Sequence, residues 1–148
     1  MIARDIMTTN VVTIKLTDRV EDVAKLLVEH KISGVPVVDD DMKLLGIVSE
    51  NDLIIKSRDL DLPFYVTLFD SIIFLENPNK FKDNLRKFTG IEVRDVMTPR
   101  AITVREDADI KEVANLMTKK NINRVPVVRD DKLVGIISRH DLLKTLVK

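Results

Sequence analysis

The chain of 148 residues carries no net charge, because 24 Lys and Arg balance 24 Asp and Glu, and it contains no cysteine. Generic nucleic-acid binding depends on a basic surface, which this balance does not indicate. Without cysteine there is no disulfide framework and no thiolate metal site. The first residues lack the basic-then-apolar order of a signal peptide, and no apolar run approaches the roughly 20 residues of a membrane span. We therefore expect a soluble, cytoplasmic protein without membrane contact.

The dominant feature of the sequence is an internal repeat. Residues 5–41 align with 95–131, and 43–54 align with 132–143 once Met42 is skipped, which gives 21 identities in 49 pairs. So many matches indicate a duplication. Each copy is too short to bury a good core alone, so we expect the two to share one. The predicted organisation has three parts: repeat 1 at 1–58, an insert at 59–90 and repeat 2 at 91–148.

The first copy opens with a short lead-in, Asp5–Thr9, followed by the β-branched run Val11–Ile14, which favours a strand. Thr17 and Asp18 offer capping side chains, with Glu21 following, so a helix is predicted to begin there. The apolar positions of this helix recur at helical spacing. They are Val20, Val23, Ala24, Leu27 and Val28.

A hairpin and a second helix complete the copy. Val35–Val38 and Leu44–Val48 predict two short strands joined at Asp39–Asp41, and Ser49 opens a helix to about Ser57. The unit is therefore β-α-β-β-α, with parallel strands flanking its first helix. The second copy predicts a strand near Ile102–Val104, a helix at Ala108–Lys120 with Ile110, Val113, Ala114 and Met117 inward, strands at Val125–Val128 and Leu133–Ile137, and a helix at Arg139–Val147.

The insert differs in composition, because it holds all five phenylalanines and the only tyrosine, Tyr65. Phe64–Leu75 is compatible with either a strand or a helix, and periodicity does not decide between them. Asn79–Phe88 predicts a helix, with Asn79 as its cap and Gly90 beyond its end. The aromatic surface is expected either to fold onto the shared core or to form an interface.

Three motifs occur once in each copy and in the same order. They are Asp-h-Met-Thr (Asp5–Thr8 and Asp95–Thr98), h-Pro-Val-Val, and Gly-h-h-Ser-x-x-Asp-h, where h is apolar. This doubled set resembles a tandem pair of cystathionine β-synthase (CBS) domains, often called a Bateman module, over nearly the whole of both repeats. The resemblance implies an α+β fold in which two β-α-β-β-α repeats form a pseudo-twofold unit with two clefts between them. It also implies an adenosine-containing ligand (AMP, ADP, ATP or S-adenosylmethionine) and a regulatory role toward another protein.

The residues themselves suit such a ligand. A ribose presents two adjacent hydroxyls, and the carboxylates of Asp52 and Asp141 each offer two acceptor oxygens. Charge-assisted hydrogen bonds of this kind contribute about 1.5–3 kcal/mol each. The segments Val35–Val37 and Val125–Val127 are expected to hold adenine, because their proline removes a ladder donor and loosens the strand edge for an outside group.

By the resemblance, each cleft takes residues from both repeats. The first is expected to contain Thr13, Ile14, Gly34, Val35, Pro36, Ser138, Arg139, His140 and Asp141. The second is expected to contain Thr103, Val104, Asn123, Arg124, Val125, Pro126, Ser49, Glu50, Asn51 and Asp52. Phosphates need N–H groups and cations, which the helix beginning near Ser138 and the side chains of Arg139 or Arg124 offer. The copies differ at Gly34 against Arg124 and at Glu50 against Arg139, so two unequal sites are predicted. Arg139 favours phosphate in the first and Arg124 in the second, where Glu50 opposes it, so the sequence does not decide which site binds phosphate better.

Each candidate also has a purely structural interpretation. Ser-x-x-Asp before an apolar run is a capping box, in which Ser49 and Ser138 cap their helices and the aspartates return a hydrogen bond. The remaining candidates also have structural interpretations: Thr13 and Thr103 are strand residues, Arg124 is a surface charge, and His140 and His30 are helix-end residues. With two separated histidines, no zinc site is expected. The sequence has no catalytic motif, so we expect no enzyme activity and no required cofactor.

Three functions from different classes remain. The leading hypothesis is a stand-alone regulatory module that senses an adenosine-containing ligand and signals to a separate, unidentified effector protein. The second is an interaction scaffold with degenerate clefts that recruits a partner through the aromatic insert. The third, which the charge balance disfavours, is nucleic-acid binding through basic residues of the insert, namely Lys80, Lys82, Arg86 and Lys87.

The family resemblance also implies assembly. A homodimer with C2 symmetry is expected, formed by the apolar faces of the helices that follow Ser49 and Ser138. The contact residues predicted for it are Leu53, Ile54, Leu142, Leu143 and Leu146.

Overall fold

The computed structural model describes residues 1–53 and 91–147, and the chain divides into two compact units. Unit 1 is Met1–Thr13, Val38–Leu45 and Arg100–Lys148, and unit 2 is Ile14–Val37 and Gly46–Pro99. The predictions made for the insert, including Phe64–Leu75 and Asn79–Phe88, lie outside the described residues. So does the end of the helix that follows Ser49.

The described residues form a mixed α+β fold with two three-stranded sheets, which confirms the predicted fold class. In chain order the elements are α1 (Ala3–Ile6), α2 (Val20–His30), β1 (Gly34–Val38), β2 (Leu44–Ser49), α3 (residues 50–53, as far as described), α4 (Val93–Val96), β3 (Thr98–Pro99), β4 (Val104–Arg105), α5 (Ile110–Lys120), β5 (Arg124–Arg129), β6 (Lys132–Ser138), α6 (Arg139–Lys144) and a 3₁₀ turn (Thr145–Val147).

Unit 1 is built on the sheet β4-β5-β6, in which β4 runs parallel to β5 and β5 runs antiparallel to β6. Alternate residues of β6 are buried, as expected of a strand with one face on the core. The buried core of the unit comprises Ala3, Val113, Met117, Val125, Val127 and Ile137. The helix α5 therefore buries two of the four positions predicted to face inward, and Ile110 and Ala114 are half-buried.

Unit 2 is built on the sheet β1-β2-β3, in which β2 and β3 are antiparallel. Its third strand comes from the lead-in of repeat 2, whereas the third strand of unit 1, β4, precedes the long helix. Every residue of β1 is buried, and Ile14 pairs with Val37 in parallel. The helix α2 buries the apolar face that its spacing predicts. The buried residues on that face are Val20, Val23, Ala24 and Leu27.

The lead-in of each repeat belongs to the unit that holds the main helix of the other repeat. In unit 1, Ala3 N donates to Ala108 O at 2.8 Å and Arg4 N donates to Glu106 O at 2.9 Å. Unit 2 holds the same two bonds at the corresponding positions, from Val93 N to Asp18 O (2.8 Å) and from Arg94 N to Leu16 O (3.1 Å). The two repeats therefore exchange their first helical turns, so the lead-ins are part of the folded units rather than loose ends.

The predicted cap of the first long helix is wrong. The N-cap residue of α2 is Arg19, which makes no side-chain capping bond. The Asp18 carboxylate instead accepts from Lys15 N at 2.8 Å and closes the turn that precedes the helix. In the second copy, α5 begins two residues later than predicted, because Asp109 is its N-cap and accepts from Lys111 N at 2.7 Å.

Two strand predictions also need correction. The predicted strand Val11–Ile14 is reduced to the single bridge at Ile14. Pro126 does not lie on an open edge, because β5 has β4 on one side and β6 on the other. The carbonyl of Pro36 likewise already accepts from Ile14 N at 3.0 Å. The expectation that these prolines loosen a strand edge therefore fails for β5 and is weakened for β1.

Candidate functional site

Both Ser-x-x-Asp motifs form capping boxes at the point where a strand turns into a helix. In unit 2, Ser49 N donates to Asp52 Oδ2 at 2.8 Å, and Asp52 N donates back to Ser49 Oγ at 3.3 Å. In unit 1, Ser138 N donates to Asp141 Oδ2 at 2.9 Å, and Asp141 N donates to Ser138 Oγ at 3.2 Å. The capping interpretation of these motifs is confirmed. It also fixes the orientation of each carboxylate, because one oxygen is committed to the box.

Most N–H groups at these helix starts are already satisfied. Besides the capping bonds, Glu50 N donates to Ser33 O at 2.8 Å and Arg139 N donates to Asn123 O at 2.9 Å. Within the described ranges, only the N–H groups of Asn51 and His140 lack a partner in these first turns. The helix start near Ser138 therefore offers a phosphate fewer donors than the sequence predicts.

The second oxygen of each carboxylate differs between the units. Asp52 Oδ1 accepts from Thr98 Oγ1 at 2.9 Å. Asp141 Oδ1 faces Lys144 Nζ at 3.8 Å, which is an ion pair but too long for a hydrogen bond. Among the described residues, Asp141 Oδ1 thus accepts no hydrogen bond, on a side chain that is 12% exposed, whereas Asp52 Oδ1 accepts one from Thr98.

The charges around the two boxes also differ. Arg124 stands opposite Ser138 across the β5/β6 ladder, and Arg139 follows Ser138 directly. Arg139 is exposed and donates to Asn121 Oδ1 at 3.4 Å. At the corresponding positions unit 2 has Gly34 and Glu50. Both arginines therefore lie in unit 1, while the box of unit 2 carries an added acid.

With the exception of Thr13, the predicted site residues divide between the units by repeat. The Asp52 set, in unit 2, comprises Ile14, Gly34, Val35, Pro36, Ser49, Glu50, Asn51 and Asp52. The Asp141 set, in unit 1, comprises Thr103, Val104, Asn123, Arg124, Val125, Pro126, Ser138, Arg139, His140 and Asp141, and Thr13 belongs to the same unit. Each set collects a buried strand and a capped helix start. The predicted clefts, which combine residues from both repeats, stay a prediction.

A cavity of about 470 Å³ in unit 1 was not anticipated from the sequence. Its lining is almost wholly charged: Arg4, Arg105, Glu106, Asp107, Val128, Arg129, Asp130 and Asp131. Arg129 pairs with Glu106 at 3.3 Å and Arg105 pairs with Asp107 at 3.4 Å. None of these lining residues belongs to the predicted site.

Across residues 1–53 and 91–147, no group of three or more His, Cys, Asp or Glu is arranged to hold a metal ion. His30 and His140 are both exposed. In the same part of the chain, no helix is long and apolar enough to cross a membrane.

Comparison with known proteins gives the family. The model of the CBS domain matches residues 3–59 and, separately, residues 93–148. The chain belongs to the CBS-domain family. Since the two matches follow one another, this CBS-domain protein is a tandem pair, as the doubled motifs predict.

Two relatives indicate how far the similarity extends. MJ1426 of Methanocaldococcus jannaschii, an uncharacterised protein, is 37% identical over 159 residues, which cover 99% of this chain and 92% of its own. The chloroplastic CBS domain-containing protein CBSX2 of Arabidopsis thaliana is 32% identical over 144 residues, covering 94% of this chain. The aligned region makes up 60% of the length of CBSX2.

Solved structures of CBS pairs share the fold. CBSX2 in complex with AMP is 31% identical with a TM-score of 0.73, and the match covers 99% of this chain and 96% of that one. The CBS domain pair of protein MJ0100, in complex with 5′-methylthioadenosine and S-adenosyl-L-methionine, is 26% identical with a TM-score of 0.72 and covers 99% of both chains. The predicted CBS-pair fold is thereby confirmed.

Proposed function

We propose that this chain is a regulatory module that binds an adenosine-containing ligand through Asp52 and Asp141 and communicates the bound state to a separate effector protein. The observation that carries the proposal is the pair of capping boxes, which hold both carboxylates in the same way at corresponding places. No catalytic role is assigned to any residue.

The boxes support ribose binding because they pre-organise an acceptor. The Oδ2 atom of each aspartate is held by the serine N–H, so the Oδ1 atom points away from the box in a fixed direction. A carboxylate held in this way forms charge-assisted bonds to a vicinal diol at little entropic cost. The ligands in the related structures, AMP in CBSX2 and two adenosine compounds in MJ0100, all contain a ribose.

The charges of unit 1 support a phosphate near Asp141. Arg124 and Arg139 lie on either side of Ser138 along the ladder and the helix start, and both suit a phosphate oxygen. Around Asp52 the corresponding residues are Gly34 and Glu50. Glu50 repels a phosphate, and Gly34 has no side chain to bind one. We infer that AMP and ATP favour the Asp141 set. A cationic ligand such as S-adenosylmethionine is better tolerated by the Asp52 set.

Calorimetric titration tests this function. AMP, ATP and S-adenosylmethionine are each titrated into the purified chain, and at least one is expected to bind saturably. The same titration with 2′-deoxy-AMP removes one hydroxyl of the diol and is expected to weaken binding by about tenfold or more, since it costs one charge-assisted hydrogen bond. Equal affinities for AMP and 2′-deoxy-AMP would contradict ribose recognition by the aspartates.

The matched control separates lost binding from lost capping. Asp52→Ala combined with Asp141→Ala is expected to abolish binding. Asp109→Ala removes another helix-capping aspartate that belongs to neither set, at a comparable cost in stability. It is expected to bind AMP like the parent chain. If the control loses binding as well, general destabilisation rather than a ligand contact explains the effect.

We also propose a homodimer. The apolar residues at the end of α6 and in the 3₁₀ turn are strongly exposed, with Leu143 at 58%, Leu146 at 78% and Val147 at 84%. Covering such a surface with a second copy removes apolar area from water. Leu53, another predicted contact, is fully buried and is unavailable, and Ile54 lies outside the described residues.

Sedimentation of the purified chain tests the homodimer. The parent chain is expected to be a dimer, and Leu143→Ser combined with Leu146→Ser is expected to convert it to a monomer. A monomeric parent chain would contradict the proposal.

A further inference from the structure

The two aspartates do not offer a ligand the same number of free lone pairs. An ionised carboxylate has about four acceptor positions, two on each oxygen. Asp52 Oδ2 receives Ser49 N and Ser49 Oγ, at 2.8 and 3.2 Å, and Oδ1 receives Thr98 Oγ1 at 2.9 Å. Asp141 Oδ2 receives the same two donors from Ser138, and among the described residues its Oδ1 receives no hydrogen bond. Asp141 Oδ1 faces the Lys144 ammonium at 3.8 Å, beyond hydrogen-bond distance, so neither of its lone pairs is occupied by a hydrogen bond, whereas one lone pair of Asp52 Oδ1 is occupied by Thr98.

We propose that Thr98 is a specificity-determining residue that weakens adenosine binding at Asp52, so that the site at Asp141 fills first. This inference rests on the proposed function and adds an order of occupancy to it. A ribose that approaches Asp52 must share Oδ1 with the threonine hydroxyl or displace it. A ribose that approaches Asp141 meets an oxygen with no hydroxyl on it.

The backbone holds the two corresponding threonines differently. Thr98 pairs with Ile47, and the adjacent Pro99 pairs with Gly46, so β3 is held at two residues. A residue that precedes proline is also restricted to extended conformations. Thr8 occupies the same place in unit 1 but is held by a single bridge to Ile136 and is followed by threonine. In the described residues, no hydrogen bond joins the Thr8 side chain to Asp141.

The test isolates each site with an alanine at the other. In the Asp141→Ala background only the Asp52 site remains, and adding Thr98→Val removes the hydroxyl while keeping the side-chain shape. Titration with AMP is expected to show binding at least about fivefold tighter than in Asp141→Ala alone, because the carboxylate regains a lone pair for a charge-assisted bond. In the Asp52→Ala background, the matched change Thr8→Val is expected to leave AMP affinity within about twofold, because no bond is lost.

Two further measurements distinguish acceptor competition from a structural role. Thr98→Ser retains the hydroxyl and is expected to bind AMP like the Asp141→Ala parent. With 2′-deoxy-AMP the gain from Thr98→Val is expected to fall below about twofold, since a single remaining hydroxyl needs a single lone pair. A general loosening of the fold would change affinity for both nucleotides alike.

The outcomes separate the two proposals. Unchanged or weaker AMP binding in the Thr98→Val variant, in a chain that does bind AMP, overturns the role of Thr98 and leaves the proposed function intact. If the unmodified chain binds none of AMP, ATP or S-adenosylmethionine, the proposed function itself fails, and the inference about Thr98 fails with it.

Discussion

Units 1 and 2 share many backbone hydrogen bonds, but the side chains that contact their capping aspartates differ. Each is a three-stranded sheet with one long helix, closed by a helical turn from the other repeat and by a capping box. The backbone bonds of Ala3 and Val93 correspond, and so do those of Glu50 and Arg139. The side chains diverge: Thr98 bonds Asp52, whereas Lys144 pairs loosely with Asp141.

The features that the two units share serve the fold, whereas the features that differ lie beside the carboxylates. The shared bonds are backbone bonds or caps, whose loss leaves buried or helix-end polar groups unsatisfied. The differing groups are partly exposed and adjoin the carboxylates proposed to bind ligand. The two units thus combine similar backbone frames with unequal carboxylate surroundings, which is what the proposed order of occupancy requires.

The largest loss of stability is expected when the exchanged lead-ins are disrupted. Ala3 and Val93 are both fully buried, so Ala3→Asp or Val93→Asp places an unpaired carboxylate in an apolar site. Each is expected to lower the free energy of unfolding by about 3–5 kcal/mol, measured by urea denaturation. Arg94→Ala, on the exposed face of the same turn as Val93, is the control and is expected to change it by less than about 0.5 kcal/mol. A tolerated aspartate at either position would mean that the lead-in is not part of the core of that unit.

The exchange of lead-ins is the part of the fold that sequence reasoning missed. The repeat, the α2 and α5 faces, the hairpins and the capping boxes all follow from local spacing, which is why they were predictable. Nothing local distinguishes a lead-in that packs on its own repeat from one that packs on the other, because both repeats offer nearly identical partners. The same limit applies to Thr98, whose motif was identified but whose partner, Asp52, lies 46 residues away.

The strand prediction at Val11–Ile14 failed for a different reason. β-Branched residues fit an extended chain, yet a strand also needs a partner with a matching register. Only Ile14 finds one, in Val37. The helix start at Asp18 failed because its side chain had a competing local acceptor role toward Lys15 N.

Gly46 and Gly135 occupy corresponding positions in the two sheets, but an added methyl group would meet different neighbours. A Cβ added at Gly46 would lie 2.6 Å from the backbone oxygen of Thr98, whereas one added at Gly135 would overlap the Met7 side chain, 2.7 Å from Cγ. Gly46→Ala is expected to cost about 2–3 kcal/mol, because backbone must shift, and Gly135→Ala about 1 kcal/mol, because a methionine can change rotamer. The measurement is urea denaturation of both variants. Equal costs would show that the two sheets accommodate the extra methyl group in the same way.

The third prediction concerns the caps of the two long helices. Asp109 caps α5, whereas Arg19 occupies the same position in α2 with suitable backbone angles, φ −88° and ψ 142°, but no capping bond. Asp109→Ala is expected to cost about 1 kcal/mol, and Arg19→Ser to add about 0.5–1 kcal/mol by supplying a cap and removing a cation from a helix N-terminus. Thermal denaturation checks both. A loss of stability in Arg19→Ser would indicate that the arginine makes a favourable contact that outweighs a cap.

The last and smallest effect is a coupling free energy, which compares the two carboxylates in the absence of ligand. A double-mutant cycle of Thr98→Val and Asp52→Ala is expected to give a coupling of about 0.5 kcal/mol, because the bond is short but largely exposed. The matched cycle of Thr8→Val and Asp141→Ala is expected to give a coupling near zero, since no bond joins that pair in the described residues. Equal couplings would mean that both hydroxyls reach their aspartates in solution. Any difference in ligand affinity would then have to come from charge, with Glu50 beside one carboxylate and Arg139 beside the other.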